Sequence, residues 1–359
     1  MSDIRYGLVG CGAICRTHTD AIRSLPGVRL TAVYDIVAEK AQKLADETGA
    51  EATRSYASLL KKVDALNICV PSGLHAKLAL AAVKAGKHVL VEKPIDVSLR
   101  PAQRLVEQAR AAGVTLGVVS QHRFANDIVT LRDSAQSGGL GKLVAGDCYV
   151  KWYRTQEYYN SGDWRGTVKL DGGCLMNQSV HYIDMIQWIM GGVKSVQAQM
   201  RTAGRDIEAE DIAQALVEYK NGATGIIYGT TLAYPGFAER LEVHGMYGTV
   251  LIEGDRIKLW QVDEKGAAEG KYGRGVVKQP TPSVPILDGG DSGGTGAADP
   301  TAIWGEQHRL QIEDFVQAIR DRRDPKISGE SALEPLKVIL AIYKSARSGG
   351  RRIDVDSLK

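Results

Sequence analysis

The sequence predicts an α/β protein in two parts: an N-terminal doubly wound parallel sheet over residues 1–122, and a C-terminal α+β domain over residues 123–359 with a large, mostly antiparallel, open-faced sheet. Three observations predict this. A chain of 359 residues exceeds the size at which one core usually stops growing, so two domains are expected. Apolar runs of strand length alternate with helically spaced segments as far as Val119, the pattern of βαβ units. From about Arg123, strand patterns succeed one another largely without helices between them, which suits antiparallel pairing.

In chain order, Ile4 to Val9 reads as a buried strand that runs into Gly10-Cys11-Gly12-Ala13-Ile14-Cys15, with helical spacing from His18 to Leu25. Strand, glycine turn and helix form the phosphate-cradling unit of a Rossmann domain. Gly10 permits the tight turn, and Gly12 lets backbone N–H groups, with Ala13 and Ile14 beside it, approach a pyrophosphate at the positive end of the helix. Cys15 stands where the fingerprint has its third glycine. The second strand, Val28 to Tyr34, ends at Asp35, about where a ribose would lie. Its carboxylate would accept hydrogen bonds from the 2′- and 3′-hydroxyls and repel a 2′-phosphate, so NAD(H) is expected over NADP(H), with Ile36 as a further cofactor contact.

Regular alternation follows: helix Ala38–Glu47, strand Ala65–Val70, helix His75–Ala85, strand His88–Val91, helix Leu99–Ala112 and strand Thr115–Val119. Such sheets hold ligands beyond the carboxyl ends of their strands. The polar residues at those ends, Pro71 with His75, Glu92 with Lys93, and Gln121, are therefore assigned to the cofactor site. Lys93 is expected near the nicotinamide.

The second domain's strands are expected at Leu143–Tyr153, Val193–Met200, Ile212–Tyr219, Ala223–Thr231, Arg240–His244, Thr249–Glu253 and Ile257–Trp260, with Asn221-Gly222 as a two-residue hairpin turn. A helix is expected from Gly172 to Asp184. At about 100° per residue, Asn177, His181 and Asp184 fall within a sector of about 60°, beside an apolar stripe of Met176, Val180, Ile183, Ile186 and Met190. His181 then sits between core and cleft. Ahead of this helix, the loop Arg154 to Gly166 is rich in aromatic rings with polar edges. Tyr158 and Trp164 suit stacking on a sugar or nicotinamide, and Arg165 suits hydroxyl or carboxylate oxygens; a loop stapled down by its own aromatics is the alternative. Residues 278–300 read as a Gly-rich surface loop, and Glu306–Arg320 and Ala332–Ala346 as packing helices.

Composition narrows the function. With 45 basic and 42 acidic residues the net charge is +3 and no Lys/Arg run stands out, so a nucleic-acid partner is not expected. No stretch approaches the roughly 18 apolar residues that span a bilayer, and the N-terminus does not read as a secretion signal. Five cysteines without a Cys-x-x-Cys pair suit reduced thiols in a cytoplasm, and no metal site is expected.

Together, the glycine turn at Gly10–Cys15, Pro71 with His75, the run Ala85-Gly86-Lys87-His88-Val89-Leu90-Val91-Glu92-Lys93-Pro94, and Asn177 with His181 resemble the Gfo/Idh/MocA family of sugar and cyclitol oxidoreductases over essentially the whole chain. The resemblance implies hydride transfer between nicotinamide and a secondary alcohol or ketone carbon of a sugar, nucleotide sugar or cyclitol. It also implies a homodimer or homotetramer formed through the open face of the C-terminal sheet. Within that reading His181, with a reference pKa near 6.5, is the acid/base and Lys93 its electrostatic partner. Asn177, where many family members carry Asp, positions substrate or His181 but cannot titrate. Arg123, Tyr158, Trp164 and Arg165 complete the expected substrate contacts, and Asp184 is a candidate support for His181. Two alternatives are a glycosidase that uses NAD transiently, through oxidation and elimination, and a non-enzymatic sugar or NAD sensor.

Overall fold

A computed structural model describes residues 3–263 and 305–358. The chain divides into two compact units. The first runs to Gln121 and opens with β1 (Ile4–Val9), α1 (Cys15–Ser24), β2 (Val28–Tyr34), α2 (Ala38–Thr48), β3 (Glu51–Ala52) and α3 (Tyr56–Leu60). It continues with β4 (Ala65–Ile68), α4 (His75–Lys84), β5 (His88–Val91), α5 (Leu99–Ala112) and β6 (Leu116–Val118). All six strands are parallel, in the order β3-β2-β1-β4-β5-β6. The order reverses at β1, which puts the glycine turn at the switch point where such sheets bind ligands.

The second unit starts at His122 and contains α6 (Asn126–Ser137), β7 (Leu143–Lys151), α7 (Gln156–Asn160), a π-type turn (Cys174–Ser179) and α8 (Val180–Ile189). Its remaining strands are β8 (Val193–Arg201), β9 (Ile212–Tyr219), β10 (Thr224–Thr230), β11 (Arg240–Gly245), β12 (Gly248–Glu253) and β13 (Arg256–Val262). Two helices and a strand follow: α9 (Gly305–Asp321), α10 (Gly329–Arg347) and β14 (Ile353–Asp354). The eight-stranded sheet has the order β13-β12-β11-β7-β10-β9-β8-β14 and is antiparallel except where β10 meets β7.

Period-2 patterning explains the sheet's two faces. Cys148, Val150, Ala213, Ala215, Val217, Ile227, Leu241, Val243, Val250 and Ile252 are buried on one face, while Leu216 and Ile226 are exposed on the other. The expected α/β architecture with its open-faced second sheet is therefore present. The segment Val168–Gly172, α9 and α10 through Leu336 pack with the first unit. α9 is anchored by Ile312, Phe315 and Val316, which join Tyr6, Leu8 and Ile22 in one buried cluster.

Three local expectations are corrected. The β9–β10 connection has three residues, not two: Tyr219 N–H donates to Ala223 O at 2.8 Å, and Gly222 takes the left-handed position at φ 88°. The helix from Gly172 to Asp184 is regular only from Val180, because a π-type turn occupies Cys174–Ser179. α6, which the expected strand series passes over, lies between β6 and β7. The 278–300 loop lies outside the described residues.

Candidate active site

In the first unit, β1 ends in a turn whose two glycines do different jobs. Gly10 has φ 94°, and a Cβ there would lie 2.3 Å from Cys69 O; Gly12 has no atom within 4 Å of such a Cβ. Gly10 shapes the turn, and Gly12 keeps open space over it. Cys15, at the third-glycine position, is buried in the core cluster, where a thiol fits. α1 begins without a side-chain cap and without an acidic residue in its first turn, which leaves its N-terminal N–H groups to an anion. Asp35 accepts from Cys11 N at 2.7 Å and from Val37 N at 2.8 Å. These two bonds fix its carboxylate and leave further lone pairs for hydroxyls. Ile36 beside it is 90% exposed.

The mouth of β5 is built on a buried hydrogen-bond chain. Tyr6 OH donates to Asn67 Oδ1 at 2.7 Å, Asn67 Nδ2 meets His18 Nδ1 at 2.8 Å, and His18 Nε2 meets Glu92 Oε1 at 2.7 Å. In that orientation His18 Nε2–H donates to the carboxylate. Glu92 Oε2 in turn accepts from Lys93 N at 3.1 Å. Burial pushes the Glu92 carboxyl up, but the His18 hydrogen bond and nearby positive charge outweigh it and hold the pKa at about 2. Lys93 is half-buried between buried Glu92 and Pro94.

The geometry commits His75 locally. It is buried, and its ring nitrogens meet Pro94 O at 2.6 Å and Val70 O at 2.8 Å, so it clips the ends of β4 and β5 together. Burial lowers its pKa, which favours the neutral ring with a single donor. Pro71 precedes it, half-buried. Gln121 is buried, and its Oε1 has no hydrogen-bond partner among the described residues. A buried acceptor left over beyond β6, open space at Gly12 and an uncapped α1 all fit a polar cofactor.

In the second unit, every residue from Gly173 to Gln187 is buried except Asn177 and His181, which are half-buried. The apolar stripe behaves as expected, with Met176, Val180, Ile183, Ile186 and Met190 all buried. Gly173, at φ 92°, starts the π-type turn, and Glu210 holds it by accepting from Leu175 N at 2.9 Å and from Tyr343 OH at 2.8 Å.

Asp184, the candidate support for His181, has a firm partner elsewhere. It is buried in a bidentate ion pair with Arg123, whose Nε lies 2.7 Å from Asp184 Oδ2 and whose guanidinium stacks 4.8 Å from the Trp188 ring centre. The fork of Arg123, expected to reach substrate, is thereby engaged within the fold.

The aromatic loop staples itself. Arg165 lies over the rings of Tyr158 (4.3 Å) and Trp164 (4.5 Å) and donates to Tyr158 OH at 2.6 Å. That hydroxyl also accepts from Gln178 Nε2 at 2.9 Å, which links the loop to the residue beside Asn177. His122, Tyr182 and Asp255 were not singled out by the sequence pattern. The His122 ring packs edge-on against His181 at 4.7 Å, Asp255 bonds His122 Nδ1, and Tyr182 OH donates to Asp255 at 2.8 Å. Sequence separations of 59 and 133 residues hid this group from any periodicity.

Comparison with known proteins agrees with the fold and the motifs. Residues 4–120 match the oxidoreductase family with an NAD-binding Rossmann fold, and residues 128–251 match the GFO/IDH/MocA C-terminal domain. Oxidoreductase YrbE of Bacillus subtilis is 30% identical over 70% of this chain and 74% of its own. Myo-inositol 2-dehydrogenase of Thermotoga maritima is 26% identical, with 95% and 96% covered. The WlbA dehydrogenase of Bordetella pertussis, crystallised with NADH and UDP-GlcNAcA, is 32% identical, covers 98% of each chain and has a TM-score of 0.83. With its NAD-binding Rossmann domain and the matching C-terminal domain, the chain belongs to the Gfo/Idh/MocA family of oxidoreductases.

Proposed function

We propose that the protein is an NAD(H)-dependent oxidoreductase acting on a ring CH–OH, or the corresponding ketone, of a sugar, nucleotide sugar or cyclitol. When bound, NAD supplies the hydride acceptor. His181 takes the hydroxyl proton, Lys93 supplies positive charge that lowers the energy of the developing alkoxide, and Asn177 orients the substrate. The observation that carries this reading is the burial pattern: of the residues from Asp171 to Gln187, only Asn177 and His181 reach solvent, and both are polar. Relatives named for inositol, and a structural neighbour crystallised with a nucleotide-linked sugar, support the substrate class.

Gly10, Gly12, Ala13, Ile14, Asp35 and Ile36 are assigned to the adenosine and pyrophosphate end of NAD, and Gln121 to a polar cofactor contact. Tyr158, Trp164 and Arg165 are assigned to substrate. The enzyme is placed in the cytoplasm, supported by five free cysteines. Among the described residues, no helix is long and apolar enough to cross a membrane. A homodimer or homotetramer through the open sheet face is the proposed assembly.

Replacing His181 with Ala should reduce turnover by roughly 100- to 10,000-fold while leaving NADH affinity near normal. Turnover unchanged in that variant would remove His181 from the chemistry.

A further inference from the structure

The turn between β12 and β13 is a tight hairpin that carries an aspartate at its tip. Glu253 pairs with Arg256, so Gly254 and Asp255 form a two-residue hairpin tip with φ 55° and 63°. Both central residues are left-handed, the geometry of a tight hairpin turn, and a non-glycine residue is held there at some cost in energy. Gly254 N–H is tied to Glu239 O at 3.0 Å, which fixes the tip.

This conformation aims the Asp255 carboxylate at two residues. One oxygen bonds His122 Nδ1, and the other accepts from Tyr182 OH at 2.8 Å. Tyr182 adjoins His181 in sequence, and the His122 ring meets the His181 ring at 4.7 Å and 62°. Asp255 therefore holds both neighbours of His181. The His122 and Asp255 side chains are only 23% and 18% exposed, so water screens the pair incompletely.

We infer that the Asp255–His122 pair is a positioning and charge-setting device for His181, one that keeps His181 neutral at the pH at which it must accept a proton. A carboxylate on Nδ1 favours the protonated form of His122. A positive ring at this distance disfavours a second proton on His181. Among the described residues, the charged groups near the pair include Glu239, ahead of β11, which interacts with both members, and Arg123, next to His122 in sequence and buried in an ion pair with Asp184. Glu239 is buried, and that burial is the main cause of its raised pKa. The inference rests on His181 as the acid/base, but its test does not.

The test is an NMR titration of imidazole signals in the intact protein, with His181 assigned among the seven histidines by the signal missing in His181→Gln. Asp255→Asn should raise the His181 midpoint by about a few tenths of a pH unit, less than a full unit charge at this separation would give, because the carboxylate is lost together with the positive charge it favours on His122. His122→Asn should raise it too, because it removes the positive ring and leaves the Asp255 carboxylate. Two variants guard against one that fails to fold. An unchanged or lowered His181 midpoint in the folded variants overturns the inference, whatever the activity. A raised midpoint together with a fully active His181→Ala enzyme keeps the coupling and removes the acid/base reading instead.

Discussion

Glu92 is buried, yet it is a stronger acid than a free carboxyl, because His18 and the nearby positive charges stabilise the ionised form more than burial opposes it. Its folded pKa of about 2 lies below the ordinary 4.5, so the unfolded chain binds the proton more readily. The resulting stabilisation is fully present above about pH 4.5 and is lost as pH falls towards 2. Glu92→Gln should therefore destabilise the fold by on the order of 3 kcal/mol at neutral pH. Urea unfolding followed down to acid should show the gap to the native protein closing; a gap independent of pH would contradict this assignment. Asp35 governs cofactor choice by the same electrostatics. Asp35→Ser should weaken NADH binding at least about tenfold and narrow the preference over NADPH, read by fluorescence titration. Lys93, Asp35 and His181 could be singled out as candidates in the sequence because each stands at a strand end or beside a helix stripe, and the fold places them at those positions. The buried pairs beside them could not be read there: His18 lies 74 residues from Glu92, and Arg123 lies 61 from Asp184. Such pairs are made by topology, which local spacing does not encode.

At the scale of elements, the glycine turn separates fold from function within three residues. Gly10→Ala places a methyl group against the Cys69 carbonyl in a left-handed conformation and should cost about 2–4 kcal/mol in urea unfolding. Gly12→Val meets open space instead. It should leave the unfolding midpoint nearly unchanged while weakening NADH binding by about tenfold or more, since the space it fills is where the cofactor's pyrophosphate is assigned. Equal losses of stability in both variants would show that Gly12 is structural. The strands and long helices were legible because period-2 and period-3.6 burial patterns are repeated along them. The π-type turn was not, since Cys174 to Ser179 carries the same apolar residues that a regular helix would bury there. Asp255 was missed for a related reason: Gly-Asp announces a tight turn, but not what the aspartate will touch.

The whole chain places two kinds of sheet in two units. In the first, parallel strands and covering helices leave function to the strand ends; in the second, an antiparallel sheet keeps one face open. Leu216, 62% exposed on that open face, and Ile226 beside it are the apolar positions through which self-association is proposed. A Leu216→Lys, Ile226→Lys double variant should convert the assembly to monomers in light scattering, and a native protein already monomeric would contradict the proposed assembly. The family's two domain models match both units. The most direct test of the central claim is the near-ultraviolet absorbance of reduced nicotinamide when purified protein and NAD are mixed with a panel of sugars, inositols and nucleotide sugars. Net, stoichiometric NADH formation is expected with a member of that panel, and none in His181→Ala. Substrate consumed without any net change in NADH would contradict it and point to transient oxidation instead.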